Sequence, residues 1–257
     1  MSVPFRDGTV EVIELGDGPV VGYLHGMLGN PEVHPFLKEL AETGHRVVAP
    51  SLPGFMPSPH RDDLRFLHDW VAALSEVVDE SGLAGAPMVA ASVGAMLALE
   101  LAAVRPEAFE RLVLLSPLGL WDDDHTVADL FAVPTGKQPA MLLADPSRAA
   151  SFFEDDLRAP ADETLQHGID RYHTRRSAAS LVWPLPDRGL ADRAHRVQVA
   201  TGLVWGEADR LNPPANAVLY ERALPGHTST GVIAGAGHCV EWDAPVDTAV
   251  AVARSLH

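Results

Sequence analysis

A chain of 257 residues, 47% hydrophobic and 21% charged, has the balance of a folded globular protein and room for one large α/β domain carrying an insertion. Its 35 acidic side chains against 19 basic ones leave a formal charge of −16, which disfavours nucleic acid and anionic membrane surfaces as partners. No apolar run of about 18 residues is present, no basic-then-apolar leader opens the sequence, and the lone Cys239 cannot close an intrachain disulfide, so the expected location is the cytoplasm.

In chain order, residues 2–5 and 9–15 read as a β-hairpin turning at Asp7-Gly8. Residues 20–24 are a short apolar run suited to a buried strand. A helix over 33–43 ends at Gly44, a second buried strand covers 46–50, and a Pro/Gly loop fills 51–59. Apolar positions at Leu64, Leu67, Val71, Leu74 and Val78 predict an amphipathic helix over 63–81, closed by Gly82. Strand 87–91, helix 93–104 and strand 111–116 follow. The rhythm then breaks: residues 118–195 hold many prolines, short helical patterns and no strong strand. It resumes with strand 198–206, a helix near 214–224, strand 229–234 and a last helix from about 245. Apolar strands alternating with helices predict a mostly parallel sheet covered on both faces. The interruption predicts a core of residues 1–117 and 196–257 with a helical cap inserted at 118–195.

Four features, each directly after a strand, carry the chemistry. In Ala90-Ala91-Ser92-Val93-Gly94 a buried strand ends on a serine and a helix starts at once. Small residues two places either side let strand and helix pass closely, and the turn lifts the hydroxyl out of the sheet beside free helix N–H groups. Taken alone, Ser92 could simply cap a helix. His25-Gly26-Met27-Leu28-Gly29 follows the strand at 20–24, where glycines let a loop turn its amides inward. The N–H groups of Met27 and Val93 are then candidates for holding a carbonyl oxygen as it becomes an oxyanion. Asp209, in the loop from Trp205-Gly206 to Pro213, and His238, in Ala236-Gly237-His238, occupy the carboxyl edge of the same sheet. An acid there orients an imidazole, and the imidazole takes and returns the serine proton.

With this order of serine, acid and histidine the chain resembles the α/β-hydrolase superfamily along nearly its whole length, from the His25-Gly26 loop to the Gly237-His238 turn. The run from Ala49 to Ser58 is similar to a loop of that family, as is the acid loop. The resemblance implies the α/β-hydrolase fold, a Ser92–Asp209–His238 triad, an oxyanion hole of Met27 and Val93 amides, and no cofactor or metal. The chain departs from the common pattern at Ala90, Ala91, Ser51 and Met56, where the family more often carries glycine, a larger polar residue, aspartate and glycine; the wall beside the nucleophile is expected to be more open.

The implied function is a carboxylesterase-like serine hydrolase that cleaves an ester, or a lactone or thioester-like carbonyl, of a small molecule through an acyl-enzyme on Ser92. Trp242, four residues after His238, is similarly placed in hydrolases that cleave carbon–carbon bonds of ring-fission products, which ranks that reaction second. A ligand-binding member without hydrolytic activity ranks third. Phe131, Trp183, Trp242 and Arg176 are candidates for lining the substrate pocket, Arg176 within a polar group that includes Tyr172, His173 and Arg175. Monomer and homodimer are equally open.

Overall fold

The computed structural model describes residues 1–153, 159–184 and 186–256. The elements in order are β1 (Ser2–Phe5), β2 (Gly8–Leu15), β3 (Val20–Leu24), α1 (Pro35–Glu42), β4 (Arg46–Pro50), α2 (Leu67–Glu80), β5 (Ala86–Ala91), α3 (Ser92–Val104) and β6 (Phe109–Leu115). After β6 come α4 (Pro139–Leu142), α5 (Ala150–Phe153) and α6 (Ala161–Val182), and then β7 (Ala200–Gly206), α7 (Ala217–Ala223), β8 (His227–Ile233), α8 (Val240–Asp243) and α9 (Pro245–Leu256).

The described strands form one sheet in the order β1-β2-β4-β3-β5-β6-β7-β8. β2 runs antiparallel to both β1 and β4, and every pairing from β4 to β8 is parallel. This is the mostly parallel sheet expected from the alternation of apolar strands and helices, and it has the α/β-hydrolase fold that the resemblance implies. The central strands are apolar on both faces because both are covered. Met88 and Ala90 face a core shared with α2 and α3, while Val89 and Ala91 face one shared with α1 and α9.

β4 lies on one side of β3 and β5 on the other, so the chain reverses its direction of winding between them. Crossovers then leave the carboxyl ends of β3 and β5 toward opposite sides, opening a crevice there. In-register pairing of Leu24 with Ala90, and of Gly206 with Ile233, brings the loops after β3, β5, β7 and β8 to that same edge.

Two elements differ from the sequence expectation. α2 starts at Leu67 rather than near 63, because the Asp69 carboxylate accepts the N–H groups of Arg65 (3.0 Å) and Phe66 (2.8 Å) and stops the helix there. α6 runs 22 residues where only short helical patterns are legible. Its buried residues (Thr174, Ser177, Ala178, Leu181 and Val182) all lie in the C-terminal half, so the first half carries no apolar stripe and Gly168 sits in its middle. α6 is tied to the loop after β4 by Thr174, whose hydroxyl accepts the Met56 N–H at 2.9 Å, and by Ser177, which donates to the Gly54 carbonyl at 2.8 Å. Among the described residues, no helix is long and apolar enough to cross a membrane.

One buried acid has an incomplete set of partners. Glu241 on α8 reaches only the Tyr23 hydroxyl, at 3.4 Å, and its Oε2 has no partner among the described residues. Burial pushes its pKa up from 4.5 to about 7. The unfolded chain therefore releases this proton at lower pH than the folded one, and the contribution to stability is lost as pH rises through that window. Chemical denaturation of Glu241→Gln against the parent should show the two unfolding free energies diverging between pH 4.5 and about 7, by about 3 kcal/mol at most. Parallel pH profiles would contradict this account of the carboxyl.

Candidate active site

The turn from β5 into α3 is set by backbone geometry. Ser92 has φ +50°, a left-handed conformation costly for a residue with a side chain. The turn exists because its neighbours leave room. A Cβ at Gly26 would lie 3.0 Å from the Ser92 Cβ, and one at Gly94 would run into the His25 carbonyl oxygen. Both glycines are therefore required by close approach of the loop after β3 to the start of α3.

The loop after β8 brings His238 to this turn. Its Nε2 lies 2.7 Å from the Ser92 Oγ, and its Nδ1 lies 2.8 Å from the Asp209 Oδ2. The acid loop after β7 is rigidly bonded. Asp209 Oδ1 accepts the N–H groups of Leu211 (2.9 Å) and Asn212 (2.8 Å), which leaves Oδ2 for the imidazole. Asn212 is held in turn by donating to the Pro117 carbonyl (2.7 Å), and its own carbonyl accepts from Trp205 Nε1 (2.9 Å). With the Asp209 carboxylate accepting the hydrogen bond from Nδ1–H, Nε2 is the bare nitrogen that accepts the Ser92 hydroxyl. The serine, imidazole and carboxylate are all buried, so their mutual attraction is little screened by water.

Amide donors flank the hydroxyl. Val93 is in the first turn of α3, where N–H groups have no intrahelical acceptor. The Met27 N–H makes no backbone hydrogen bond among the described residues. Met27 follows Gly26, which touches Ser92, so both amides belong to the same small region.

Two residues support this arrangement through bonds that the sequence does not reveal. His25 is buried, and burial lowers its pKa to about 4, so it is neutral. Its Nδ1 donates to the Gly26 carbonyl (2.8 Å) and its Nε2 accepts the Leu52 N–H (2.9 Å), which clamps the glycine loop to the loop after β4. Asp243 gathers the N–H groups of Gly237 (2.8 Å), Ala144 (2.8 Å) and Asp145 (3.1 Å), joining the His238 loop to the segment after α4.

Two apolar cavities of about 290 Å³ each adjoin Met27, and Leu130 and Phe131 wall both. One extends toward Val127 and Pro186, the other toward Leu142, Phe152 and Arg175. Of the residues expected to line a pocket, Phe131 is thus beside Met27, whereas the other three are placed elsewhere. Arg176 bonds to His60 (2.7 Å) and Asp62 (3.3 Å) in a separate cleft. Trp183 is 54% exposed, and Trp242 is buried with its ring stacked 4.7 Å from His34. Adjacent residues on a helix point about 100° apart, so Arg175 reaches the cavity that Arg176 turns away from. Among the described residues, no group of three or more His, Cys, Asp or Glu converges as a metal site.

Residues 19–245 match the family model described as alpha/beta hydrolase fold. A dihydrolipoyllysine-residue acetyltransferase component of an acetoin cleaving system from Cupriavidus necator is 28% identical over 239 residues, covering 87% of this chain; the chain spans only 59% of that relative's length. A 2-hydroxy-6-oxononadienedioate/2-hydroxy-6-oxononatrienedioate hydrolase from Comamonas testosteroni is 26% identical over 257 residues, covering 91% of this chain and 86% of that protein. Among solved structures, an esterase from Exiguobacterium antarcticum superposes with a TM-score of 0.76 at 18% identity, covering 99% of this chain and 98% of that one. With a family match over 19–245 and a sheet that reverses its winding beside Ser92, the chain belongs to the alpha/beta hydrolase fold family.

Proposed function

We propose that the protein is a serine hydrolase that cleaves a carboxylic ester, or a lactone or thioester-like carbonyl, of a small molecule through an acyl-enzyme on Ser92. The observation that carries this reading is the unbroken chain of contacts from Ser92 Oγ to His238 (2.7 Å) to Asp209 (2.8 Å). A hydroxyl that donates to a neutral imidazole, itself oriented by a carboxylate, is an activated nucleophile.

Ser92 Oγ attacks the carbonyl carbon while its proton passes to His238 Nε2. The carbonyl oxygen becomes an oxyanion held by the amides of Met27 and Val93, each donor worth about 3–4 kcal/mol at the transition state. Collapse expels the leaving group, which takes the proton from Nε2. Water then repeats the sequence on the acyl-enzyme and releases the acid. Asp209 stays a carboxylate throughout and stabilises the imidazolium. Residues 118–195, which contain α4, α5 and α6, serve as the cap, supplying apolar walls over this edge.

A second reading is carbon–carbon bond hydrolysis of a vinylogous diketo acid by the same residues. It is favoured by the relative named 2-hydroxy-6-oxononadienedioate/2-hydroxy-6-oxononatrienedioate hydrolase, which matches across most of both chains.

Ser92→Ala should remain folded and lose hydrolysis of nitrophenyl acetate to near the uncatalysed rate; full retained turnover would remove Ser92 from the mechanism. Asp209→Asn should cut kcat on the order of 10⁴-fold with little change in thermal stability, because the imidazole loses the acceptor that fixes its tautomer. If Asp209→Asn left kcat intact, the acid would lie elsewhere. Steady-state comparison of nitrophenyl esters with a vinylogous diketo acid separates the two reactions, and a clear preference for the diketo acid would reverse their order.

A further inference from the structure

Arg175 on α6 is half-buried, and among the described residues it has neither a hydrogen bond nor an ion pair. Burial and the neighbouring Arg171 cation both lower its pKa, and no carboxylate among the described residues offsets them. That isolation is unexpected in a chain with 35 acidic residues against 19 basic ones. A guanidinium withdrawn from water without a counter-charge is destabilising in the free protein, and an arriving anion relieves the cost.

Its position is as informative as its isolation. On one side Arg175 walls the cavity of about 290 Å³ that ends at Met27. On the other, with Arg171, Phe152 and Phe153, it walls an outer cleft of about 910 Å³. Among the described residues, neither wall contains an Asp or Glu. The second cavity at Met27 has the opposite character, with Asp129 and no cation among the described residues of its wall. The two spaces share Phe152, Phe153 and Arg175 as walls, so a ligand between the outer cleft and the cavity at Met27 meets one unpaired positive charge, and an anionic ligand has one cavity that accepts it and one that repels it.

We propose that Arg175 is the anion anchor of the substrate site, so that the preferred substrates are small carbonyl compounds bearing a carboxylate a few bonds from the scissile bond. This rests on the serine-hydrolase reading above and applies equally to ester and carbon–carbon cleavage. A guanidinium suits a carboxylate because its planar fork donates two parallel hydrogen bonds. The inner cavity is small, which selects a short chain between the two functional groups.

The test pairs mono-4-nitrophenyl adipate with 4-nitrophenyl hexanoate, equal in acyl length and different in charge, with uncatalysed rates subtracted. The parent should favour the adipate ester in kcat/KM. Arg175→Gln should lower the adipate-to-hexanoate ratio at least about tenfold, chiefly through KM, and Arg175→Lys should restore part of it. A merely structural arginine would move both esters together and leave the ratio fixed. A parent without preference for the adipate ester, or a ratio that survives Arg175→Gln, overturns the anchor. Calorimetric titration with adipate reads the anchor without turnover. Adipate should bind the parent and Ser92→Ala alike and bind Arg175→Gln about tenfold more weakly; absent binding, or binding indifferent to position 175, overturns the proposal whether or not either ester is cleaved. Retained hydrolysis in Ser92→Ala would instead remove the serine-hydrolase reading while leaving the adipate titration to judge Arg175.

Discussion

The site depends on one contact: the Ser92 hydroxyl held 2.7 Å from the imidazole of a residue 146 positions further along the chain. Neither side chain can reach the other unless β5 ends in a turn with positive φ and unless the loop after β8 returns to the same sheet edge. The winding reversal between β3 and β5 makes the crevice, and the parallel register of β5 through β8 brings the loops to it. Gly26 and Gly94 follow from that geometry, because a side chain at either would displace the turn that presents the hydroxyl.

The surrounding polar residues hold this contact from behind. Asp209 spends one oxygen on two backbone amides and the other on the imidazole, so its orientation is fixed before any substrate arrives. His25 works as a neutral bridge because burial keeps it unprotonated, donating through one ring nitrogen and accepting through the other. Preorganised donors and acceptors of this kind have little reorganisation left to undergo when charge develops.

The fold was legible because buried parallel strands leave short apolar runs, and their punctuation by Gly and Pro marks where each loop starts. The meeting of Ser92, Asp209 and His238 was legible for the same reason: residues just past the ends of parallel strands share one edge. Other features lack such a signal. The start of α2 is decided by one carboxylate, Asp69, folding back on two amides. The long α6 has an exposed, polar first half, so no apolar period reveals its length. Arg175 and Arg176 are chemically alike in sequence, and only the rotation of α6 decides that the first walls the Met27 cavity while the second pairs with Asp62. Trp242 and Trp183 show the same limit, since an aromatic near a motif can pack on His34 or face solvent as readily as line a pocket.

The most direct measurement of the central claim is a crystal structure of the protein inactivated by a small alkyl phosphonate ester, which mimics the tetrahedral carbon of acyl transfer. The phosphorus should be bonded to Ser92 Oγ, with one phosphonyl oxygen accepting hydrogen bonds from the amides of Met27 and Val93. A covalent adduct on another residue, or a Ser92 adduct whose oxygen meets neither amide, would contradict the account.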